Sequence, residues 1–244
     1  MTSKANTSTV VVVTGGAAPG AQSVAGLLAD VPEGFTVVAA DSGLEHALAA
    51  GLTVAHAVGD FDSVDPSVLG AAAAGGTQVH RHPVDKDATD LELALLMAEG
   101  LGARRVVVLG GHGGRLDHFL GNVMVLAAPR FENLVVEAVM GDALVRVARP
   151  WRPSVVRGAP GDVVTLLPVH GPAEGVTTVG LLYALDRETL ALGTTRGVSN
   201  ELCAAEAEVR LTAGCLLIVQ PGATGTHLHT RLDQSSVPPS EGQS

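Results

Sequence analysis

Residues 10–16 read Val-Val-Val-Val-Thr-Gly-Gly, a β-branched run that stops at two glycines. Four valines in a row are typical of a short strand that is buried on both faces. An Ala- and Leu-containing segment at residues 22–28 has the character of a helix, and a second β-branched run follows at residues 36–40. A strand, a helix and another strand in this order predict two parallel strands joined by a helical crossover.

The same alternation continues to residue 139. Further strands are predicted at residues 54–58, 77–80, 105–109 and 134–139, and further helices at residues 44–50, 66–74 and 116–126. Another helix begins after Thr89, which forms a capping-box pattern with Glu92. Its apolar face is formed by Leu91, Ala94, Leu95 and Ala98. We therefore predict an α/β fold with a doubly wound, mostly parallel sheet and helices on both faces.

The pattern changes near Gly141. Short apolar runs at residues 143–148, 163–167, 207–211 and 216–219 are separated by Gly, Pro and Thr. Strands at such spacing predict a small antiparallel β-sandwich or barrel. The predicted organisation is an α/β domain over residues 9–141, a β domain over 142–233, and flexible termini at 1–8 and 234–244, of which the second is rich in Ser and Pro.

Composition excludes several classes of partner. The formal net charge is −10 and aromatic residues make up 2% of the chain, so neither a nucleic-acid backbone nor a stack of bases is an expected ligand. No apolar stretch approaches the roughly 20 residues that cross a bilayer, and residues 1–9 are polar rather than signal-like. We expect a cytoplasmic protein with no membrane partner and two reduced, unpaired cysteines.

Acidic residues follow several of the predicted strands or begin the next helix. They are Asp41, Asp60, Asp62, Asp85, Asp87, Asp90 and Asp117. Loops at the carboxyl ends of parallel strands converge on one edge of the sheet, so these side chains should share a crevice. Carboxylates gathered in this way repel one another, and a bound divalent cation relieves the repulsion. Mg²⁺ held jointly by carboxylates and substrate phosphates suits such a site.

Four of these acids also have an ordinary structural explanation. Asp60 and Asp62 could belong to a turn, Asp90 could stabilise a helix start, and Asp41 could cap the following helix. Their joint occurrence at successive strand ends favours a functional site.

Glycines and two cations lie at the same predicted edge. Residues 14–16 read Thr-Gly-Gly and residues 110–114 read Gly-Gly-His-Gly-Gly, and both segments would let backbone amides approach phosphate oxygens. Neither segment is a Walker A loop. Arg115 can bind phosphate through two nitrogens. Lys86 could do the same or pair with Asp85 or Asp87.

Four motifs carry a family resemblance. They are Ala40-Asp41-Ser42-Gly43, Gly59-Asp60-Phe61-Asp62-Ser63, Asp85-Lys86-Asp87-Ala88-Thr89-Asp90-Leu91-Glu92 and Gly113-Gly114-Arg115-Leu116-Asp117-His118. In this order they resemble the thiamine pyrophosphokinase family. The segments at 176–185 and 197–201 resemble that family's thiamine-domain motifs. Departures are Ala-Asp-Ser-Gly-Leu at residues 40–44, where Ala-Asp-Gly-Gly-Ala is usual, and Val179 at a commonly polar position.

The resemblance implies a catalytic nucleotide-binding domain, a thiamine-binding β domain, and a homodimer with thiamine at its interface. It implies Mg²⁺ ligands at Asp60, Asp62 and Asp90, and substrate contacts at Ser199 and Asn200. The catalytic group we predict is Asp41, Asp62, Asp87, Asp90 and Asp117. The ATP-binding group we predict is Thr14, Gly15, Gly16, Lys86, Gly113, Arg115 and His118.

The predicted reaction is transfer of pyrophosphate from ATP to thiamine, which yields thiamine diphosphate and AMP. The proton of the thiamine hydroxyl would pass to Asp41, Asp87 or Asp117, and the residues do not choose among these three. Two alternatives remain open: a pyrophosphokinase for another alcohol such as a hydroxymethylpterin, and a thiamine- or nucleotide-binding module without catalysis.

Overall fold

The computed structural model describes residues 9–223 except Pro19, Val84 and Lys86. Its first part contains β1 (Thr9–Thr14), α1 (Ala21–Ala29), β2 (Thr36–Ala40), α2 (Gly43–Ala49), β3 (His56–Gly59), α3 (Pro66–Ala74), β4 (Gln78–Arg81), α4 (Asp90–Gly100), β5 (Arg105–Leu109), α5 (Leu116–Leu126) and β6 (Val135–Met140). Its second part contains β7 (Ala143–Ala148), β8 (Ser154–Arg157), β9 (Val163–Pro168), β10 (Ala173–Val179), β11 (Glu188–Leu190), β12 (Asn200–Glu201), β13 (Glu206–Arg210) and β14 (Leu216–Gln220).

The first six strands form a parallel sheet in the order β4-β3-β2-β1-β5-β6. The valines of β1 are all buried, because alternate side chains pack into different cores on the two faces. One core includes buried residues of α4 and α5, and the other includes buried residues of α1, α2 and α3. The predicted doubly wound α/β fold is therefore confirmed. The strand order reverses between β1 and β5, which is where such folds place their ligand crevice.

The first turn of α4 agrees with its sequence pattern. The hydroxyl of Thr89 accepts a hydrogen bond from the backbone N–H of Glu92 at 3.2 Å, so the predicted N-cap is present. The four predicted core positions of this helix are all buried (Leu91, Ala94, Leu95 and Ala98). The cap fixes where α4 begins and therefore where Asp90 lies.

The second part extends the same sheet. The two residues Gly141 and Asp142 connect β6 to β7 as an antiparallel hairpin, and β14, β9 and β12 follow, so ten strands among the described residues form one sheet. A second sheet has the order β11-β10-β13-β8 and packs on the extension through a third apolar core. The antiparallel sandwich is confirmed, although one of its layers belongs to the first sheet.

Other predictions fall partly outside this structure. The proposed boundary between residues 141 and 142 lies in the β6–β7 turn and stays a prediction. The flexible termini at 1–8 and 234–244, the end of the β domain and Lys86 lie outside the described residues. None of the helices in the described part of the chain has the length and apolar character needed to cross a bilayer.

Candidate active site

Three aspartates meet at the carboxyl edge of the parallel sheet. Asp41 follows β2, and Asp60 and Asp62 follow β3. One carboxylate oxygen from each lies within 4.8 Å of the others. The two strand ends are joined directly, since the backbone N–H of Asp41 donates to the carbonyl of Val58 at 2.9 Å. Carboxylates separated in sequence are thus brought to a distance that one cation could span.

The backbone at these two strand ends is unusual. Asp41 and Phe61 both have positive φ angles, 47° and 61°. Positive φ is uncommon for residues other than glycine, and such outliers cluster at functional sites. The buried Phe61 ring anchors the loop, while Asp60 accepts a hydrogen bond from the backbone N–H of Asp62 at 3.1 Å. These contacts hold the two carboxylates of the β3 loop together.

The electrostatics of the group favour a cation. Burial raises the pKa of Asp41, and the negative charges of Asp90, Asp60 and Asp62 raise it further, against a lowering effect of a backbone hydrogen bond at Ser42. The Oδ1 atom of Asp41 is buried and has no hydrogen-bond partner among the described residues. A buried acceptor without a donor is costly, and a hard divalent ion would satisfy it. The donor set therefore fits Mg²⁺.

Asp90 lies near the same crevice, outside the compact group. It lies in the first turn of α4, and its charge reaches Asp41. The compact group contains Asp41 in the place where we predicted Asp90. The sequence could have placed Asp41 in this group, because Asp41 directly follows a predicted strand. Asp87 is exposed in the segment before α4. The individual metal and catalytic assignments stay predictions.

The glycine loops after β1 and β5 interlock beside the acids. The backbone N–H of Gly111 donates to the carbonyl of Gly15 at 2.9 Å, and that of Ala17 donates to the carbonyl of His112 at 2.7 Å. Gly16 has a φ of 97°, and a Cβ there would lie 2.4 Å from the His112 carbonyl oxygen. The sequence pattern identified the glycines but not this pairing. Thr14, Gly15, Gly16 and Gly113 thus lie in one pair of adjoining loops.

Arg115 and Asp117 form an exposed ion pair at the start of α5. Nε of Arg115 lies 3.1 Å from Oδ1 of Asp117, and a terminal nitrogen lies 2.5 Å from Oδ2. The hydrogen bonds from Arg115 are the main reason why the pKa of Asp117 falls to about 2. His118 is exposed beside them. A carboxyl with so low a pKa is a weak base, which bears on the choice of proton acceptor.

The two predicted thiamine contacts lie far from the acids within one chain. Ser199 is exposed with a φ of 58°, and Asn200 begins β12, the outer strand at the far edge of the ten-stranded sheet. Seven strand spacings separate β12 from β2, which at about 4.8 Å each is roughly 30 Å. The structure therefore does not bring Ser199 and Asn200 together with Asp41 in one copy.

Asn200 is also fully engaged. Its side-chain oxygen accepts hydrogen bonds from the backbone N–H groups of Tyr183 and Glu201, both at 2.9 Å, and its amide donates to the Tyr183 carbonyl at 2.8 Å. These bonds hold the loop that follows β10 against β12. Tyr183, Leu182 and Val198 expose large apolar surfaces around it.

Two family models match the chain. The model described as thiamin pyrophosphokinase, catalytic domain, matches residues 33–138, and that described as thiamin pyrophosphokinase, vitamin B1 binding domain, matches residues 154–216. The first match contains Asp41, Asp60, Asp62 and Asp90. The second contains Ser199 and Asn200.

Individual relatives agree with these matches. A thiamine pyrophosphokinase of Bacillus subtilis (strain 168) is 26% identical over 183 residues, which cover 75% of this chain and 86% of that protein. Thiamine pyrophosphokinase 1 of Oryza sativa subsp. japonica is 30% identical over 169 residues, covering 66% of this chain and 62% of that one. A crystal structure of thiamine pyrophosphokinase from Bacillus subtilis aligns with a TM-score of 0.74 at 26% identity, over 87% of this chain and 98% of that chain.

Proposed function

Because the chain belongs to the thiamine pyrophosphokinase family, we propose that it transfers the terminal diphosphate of ATP to the hydroxyl group of thiamine and releases AMP. The observation that carries this proposal is the group of Asp41, Asp60 and Asp62 at the carboxyl edge of the sheet, within the part of the chain that matches the catalytic domain. Burial raises the pKa of Asp41 and the charges of Asp90, Asp60 and Asp62 raise it further, an unfavourable arrangement that a module binding thiamine alone would not need.

Asp41, Asp60 and Asp62 would hold Mg²⁺, with Asp90 close by. Bound there, Mg²⁺ would neutralise charge on the phosphates of ATP. The chain's own contribution is positional. The paired loops after β1 and β5 offer a glycine-lined surface on which phosphates can lie, and Arg115 offers a guanidinium that can exchange Asp117 for a phosphate oxygen.

The bonds and proton of the transfer can be followed from the substrates. The thiamine hydroxyl oxygen forms a bond to the β-phosphorus of ATP, the bond from that phosphorus to the α–β bridging oxygen breaks, and AMP leaves with this oxygen. The hydroxyl proton must leave as well. Asp117 is a weak base, because its hydrogen bonds with Arg115 hold its pKa at about 2. The raised pKa of Asp41 belongs to the chain without a cation and would fall once Mg²⁺ is bound, so it does not select Asp41 as the proton acceptor.

We propose a homodimer in which thiamine lies between the β part of one copy and the acidic crevice of another. The separation of roughly 30 Å between β12 and β2 in one chain supports this arrangement. Exposed apolar residues also support it. Leu116, Leu120 and Met124 recur every four residues and form one uncovered face of α5. Leu182, Tyr183 and Val198 form a second apolar surface next to Ser199.

Sedimentation would test the dimer. Wild type should sediment as a dimer, and Leu120→Asp should shift it toward monomer and lower activity, since a charge would enter the apolar face. A matched change at an exposed leucine elsewhere, Leu101→Asp, should leave the dimer intact. A wild type that is monomeric at assay concentration and fully active would contradict the proposal.

The function is tested by supplying two acceptors. Purified chain is incubated with ATP and Mg²⁺ and either thiamine or a hydroxymethylpterin, and AMP and the diphosphorylated product are quantified. We expect equal amounts of AMP and thiamine diphosphate with thiamine, and neither product above background with the pterin. Turnover with the pterin alone would show that the chain is a pyrophosphokinase for that alcohol. No turnover with either acceptor would favour a binding module.

A further inference from the structure

A second polar site lies at the opposite edge of the sheet from the acids. It is a cavity of about 520 Å³ between the end of α1, the start of β5 and the edge strand β8. Its charged lining consists of Asp30, Arg105, Glu137, Arg146, Arg152 and Arg157. Four arginines thus face two acids, in a chain whose net charge is −10. This volume is within the range of small-molecule sites.

The centre of the cavity wall is an ion triad with a surplus of positive charge. Glu137 accepts hydrogen bonds from Arg105 at 2.7 and 2.9 Å and from Arg146 at 3.2 Å. The three side chains are only 24%, 16% and 17% exposed for Arg105, Glu137 and Arg146. Asp30 places a second negative charge near Arg146, so the four arginines of the cavity exceed its two acids by two charges, and Glu206 pairs with one of these arginines, Arg157.

Arg146 makes the longer of the two contacts with Glu137. Its Nε donates to Glu137 and its Nη1 donates to Gln220 at 2.5 Å, which leaves Nη2 without a hydrogen-bond partner in the described part of the chain. Burial lowers the pKa of Arg146, and the nearby charge of Arg157 lowers it further, against the opposing effects of Glu137 and Asp30. Both effects mean that a guanidinium here would gain from a nearby anion.

We propose that this cavity binds a phosphate-bearing small anion, with Arg146 and Arg157 as the principal contacts and Arg152 at the rim. Guanidinium groups match phosphate oxygens in geometry and form charge-assisted pairs with them. The site is distinct from the catalytic crevice, because it lies where the parallel strands begin, whereas Asp41 and Asp60 lie where they end. It does not depend on the proposed catalytic function.

Calorimetric titration of the full chain with inorganic pyrophosphate tests the proposal. EDTA is present throughout, so that the acidic crevice carries no divalent ion and repels the probe. Wild type should show saturable binding. Arg157→Gln should weaken that binding by about tenfold, because one charge-assisted contact is lost.

Arg130→Gln is the matched control. Arg157 and Arg130 are 58% and 60% exposed, and each pairs with one glutamate (Glu206 and Glu99). Exposed pairs contribute little to stability, so both variants should fold. Arg130→Gln should leave the affinity within about twofold of wild type, since only general surface charge changes.

Three results would overturn the proposal. They are an absence of saturable binding to wild type, an equal loss in Arg130→Gln and Arg157→Gln, and a loss in Arg115→Gln with none in Arg157→Gln, which would place the anion at the catalytic edge. AMP as a second probe identifies the source of the phosphate. Tighter binding of AMP than of pyrophosphate, with the same sensitivity to Arg157→Gln, supports a nucleotide ligand, and the reverse supports an inorganic one.

Discussion

The half-buried carboxylate of Asp41 is unfavourable for the free chain. Burial and the charges of Asp90, Asp60 and Asp62 all disfavour its ionised form, and one of its oxygens lacks a partner among the described residues. A raised pKa in the folded state means that the ionised group costs stability at neutral pH, and that this cost disappears as the pH falls toward the unfolded value of 3.8. A bound cation would neutralise the charge of Asp41 and so remove this cost in stability.

Asp41→Asn should therefore stabilise the protein and inactivate it. In EDTA at pH 7 the variant should melt at a higher temperature than wild type, and this advantage should shrink at acid pH. Activity should fall by at least about 100-fold, because charge stabilisation in phosphoryl transfer is lost. Melting curves with and without Mg²⁺ measure the first effect. The control is Glu33→Gln, which removes an exposed carboxylate from the loop after α1 and should change neither quantity.

Asn200 has a structural role that its motif did not reveal. Its three hydrogen bonds all go to backbone groups, two of them on Tyr183. The side chain is 4% exposed. Asn200 therefore positions the loop with Leu182 and Tyr183, and an effect on thiamine would act through that loop.

Asn200→Ala should cost about 2 kcal/mol of unfolding free energy, because partly buried backbone groups of Tyr183 and Glu201 lose their hydrogen-bond partner. Urea denaturation gives this value. Ser199→Ala, at an exposed neighbouring side chain, should cost much less. An unchanged stability for Asn200→Ala with a raised KM for thiamine alone would contradict the positioning role and favour direct contact.

At the residue level, the sequence predicted a crevice shared by seven acids, and the structure brings three of them into one compact group. Position after a strand was sufficient for Asp41, Asp60 and Asp62, because parallel strand ends share an edge. We predicted Asp90 beside Asp60 and Asp62, whereas the compact group contains Asp41. Which acid joins the group depends on the direction of the side chains, and the positive φ angles of Asp41 and Phe61 help to set that direction. No local sequence pattern predicts positive φ angles in residues other than glycine.

Helix α2 follows Asp41 in the chain and holds its backbone in position. It begins at Gly43, and a Cβ at that position would lie 2.2 Å from the carbonyl oxygen of Val13 in β1. Only a residue without a side chain lets α2 approach β1 so closely. The carbonyl of Asp41 in turn accepts a hydrogen bond from Leu44 at 3.0 Å, so a shift of α2 would move the carboxylate.

Gly43→Ala should destabilise the protein by roughly 1–3 kcal/mol and lower activity, since overpacking forces the backbone to move. Gly70→Ala is the matched control. Gly70 lies inside α3, and a Cβ added there would meet no atom within 4 Å, so the change should stabilise by about 0.5–1 kcal/mol. Denaturation and steady-state rates of the two variants check both expectations. A fully active and stable Gly43→Ala would contradict the close approach.

Elements with strong periodicity were predictable, and short ones were not. α3, β5, α5 and β7 have the predicted bounds. β8, β10, β11 and β12 were missed, because two to seven residues containing Ser, Gly, Glu or Thr carry little alternation in hydrophobicity. Their pairing partners, rather than their own propensities, make them strands.

The two parts of the molecule are joined by one continuous sheet and, where β6 meets β7, by one partly buried carboxylate. Glu137 on β6 binds Arg105 on β5 and Arg146 on β7, so it spans the change from parallel to antiparallel pairing. Burial alone would raise the pKa of Glu137, but attraction to Arg105 and Arg146 outweighs it and lowers the pKa below 4.5. A lowered pKa contributes stability above pH 4.5 that is lost as the pH falls through the folded-state pKa.

Glu137→Gln should remove part of that acid sensitivity. At pH 7 it should cost roughly 3 kcal/mol, since two poorly hydrated arginines lose their partner. Below the folded-state pKa of Glu137, the difference in unfolding free energy between the variant and wild type should become smaller. Urea unfolding of both proteins at pH 7 and at successively lower pH measures both effects. Glu206→Gln, which breaks the exposed pair with Arg157, should cost under about 1 kcal/mol. A cost for Glu137→Gln no larger than this would contradict the account of the triad.

The continuity of the sheet could not be predicted from the sequence. Gly141 correctly marked a change of pattern, but a pattern of alternation does not say which strands pair. The two-residue turn after β6 makes β7 its neighbour, and the antiparallel strands then add to the parallel sheet. This arrangement also places β12 far from the acids, which is the physical basis for expecting two copies at one thiamine site.

The most direct test of the account is the dependence of thiamine diphosphate and AMP formation on Mg²⁺ in wild type, Asp62→Asn and Glu33→Gln. We expect product from wild type and Glu33→Gln to rise with Mg²⁺ and to vanish in EDTA. Asp62→Asn should fold normally and form product at least about 100-fold more slowly at every Mg²⁺ concentration. Activity of Asp62→Asn above about a tenth of wild type, or wild-type activity that persists in EDTA, would contradict a cation-dependent site built on these aspartates.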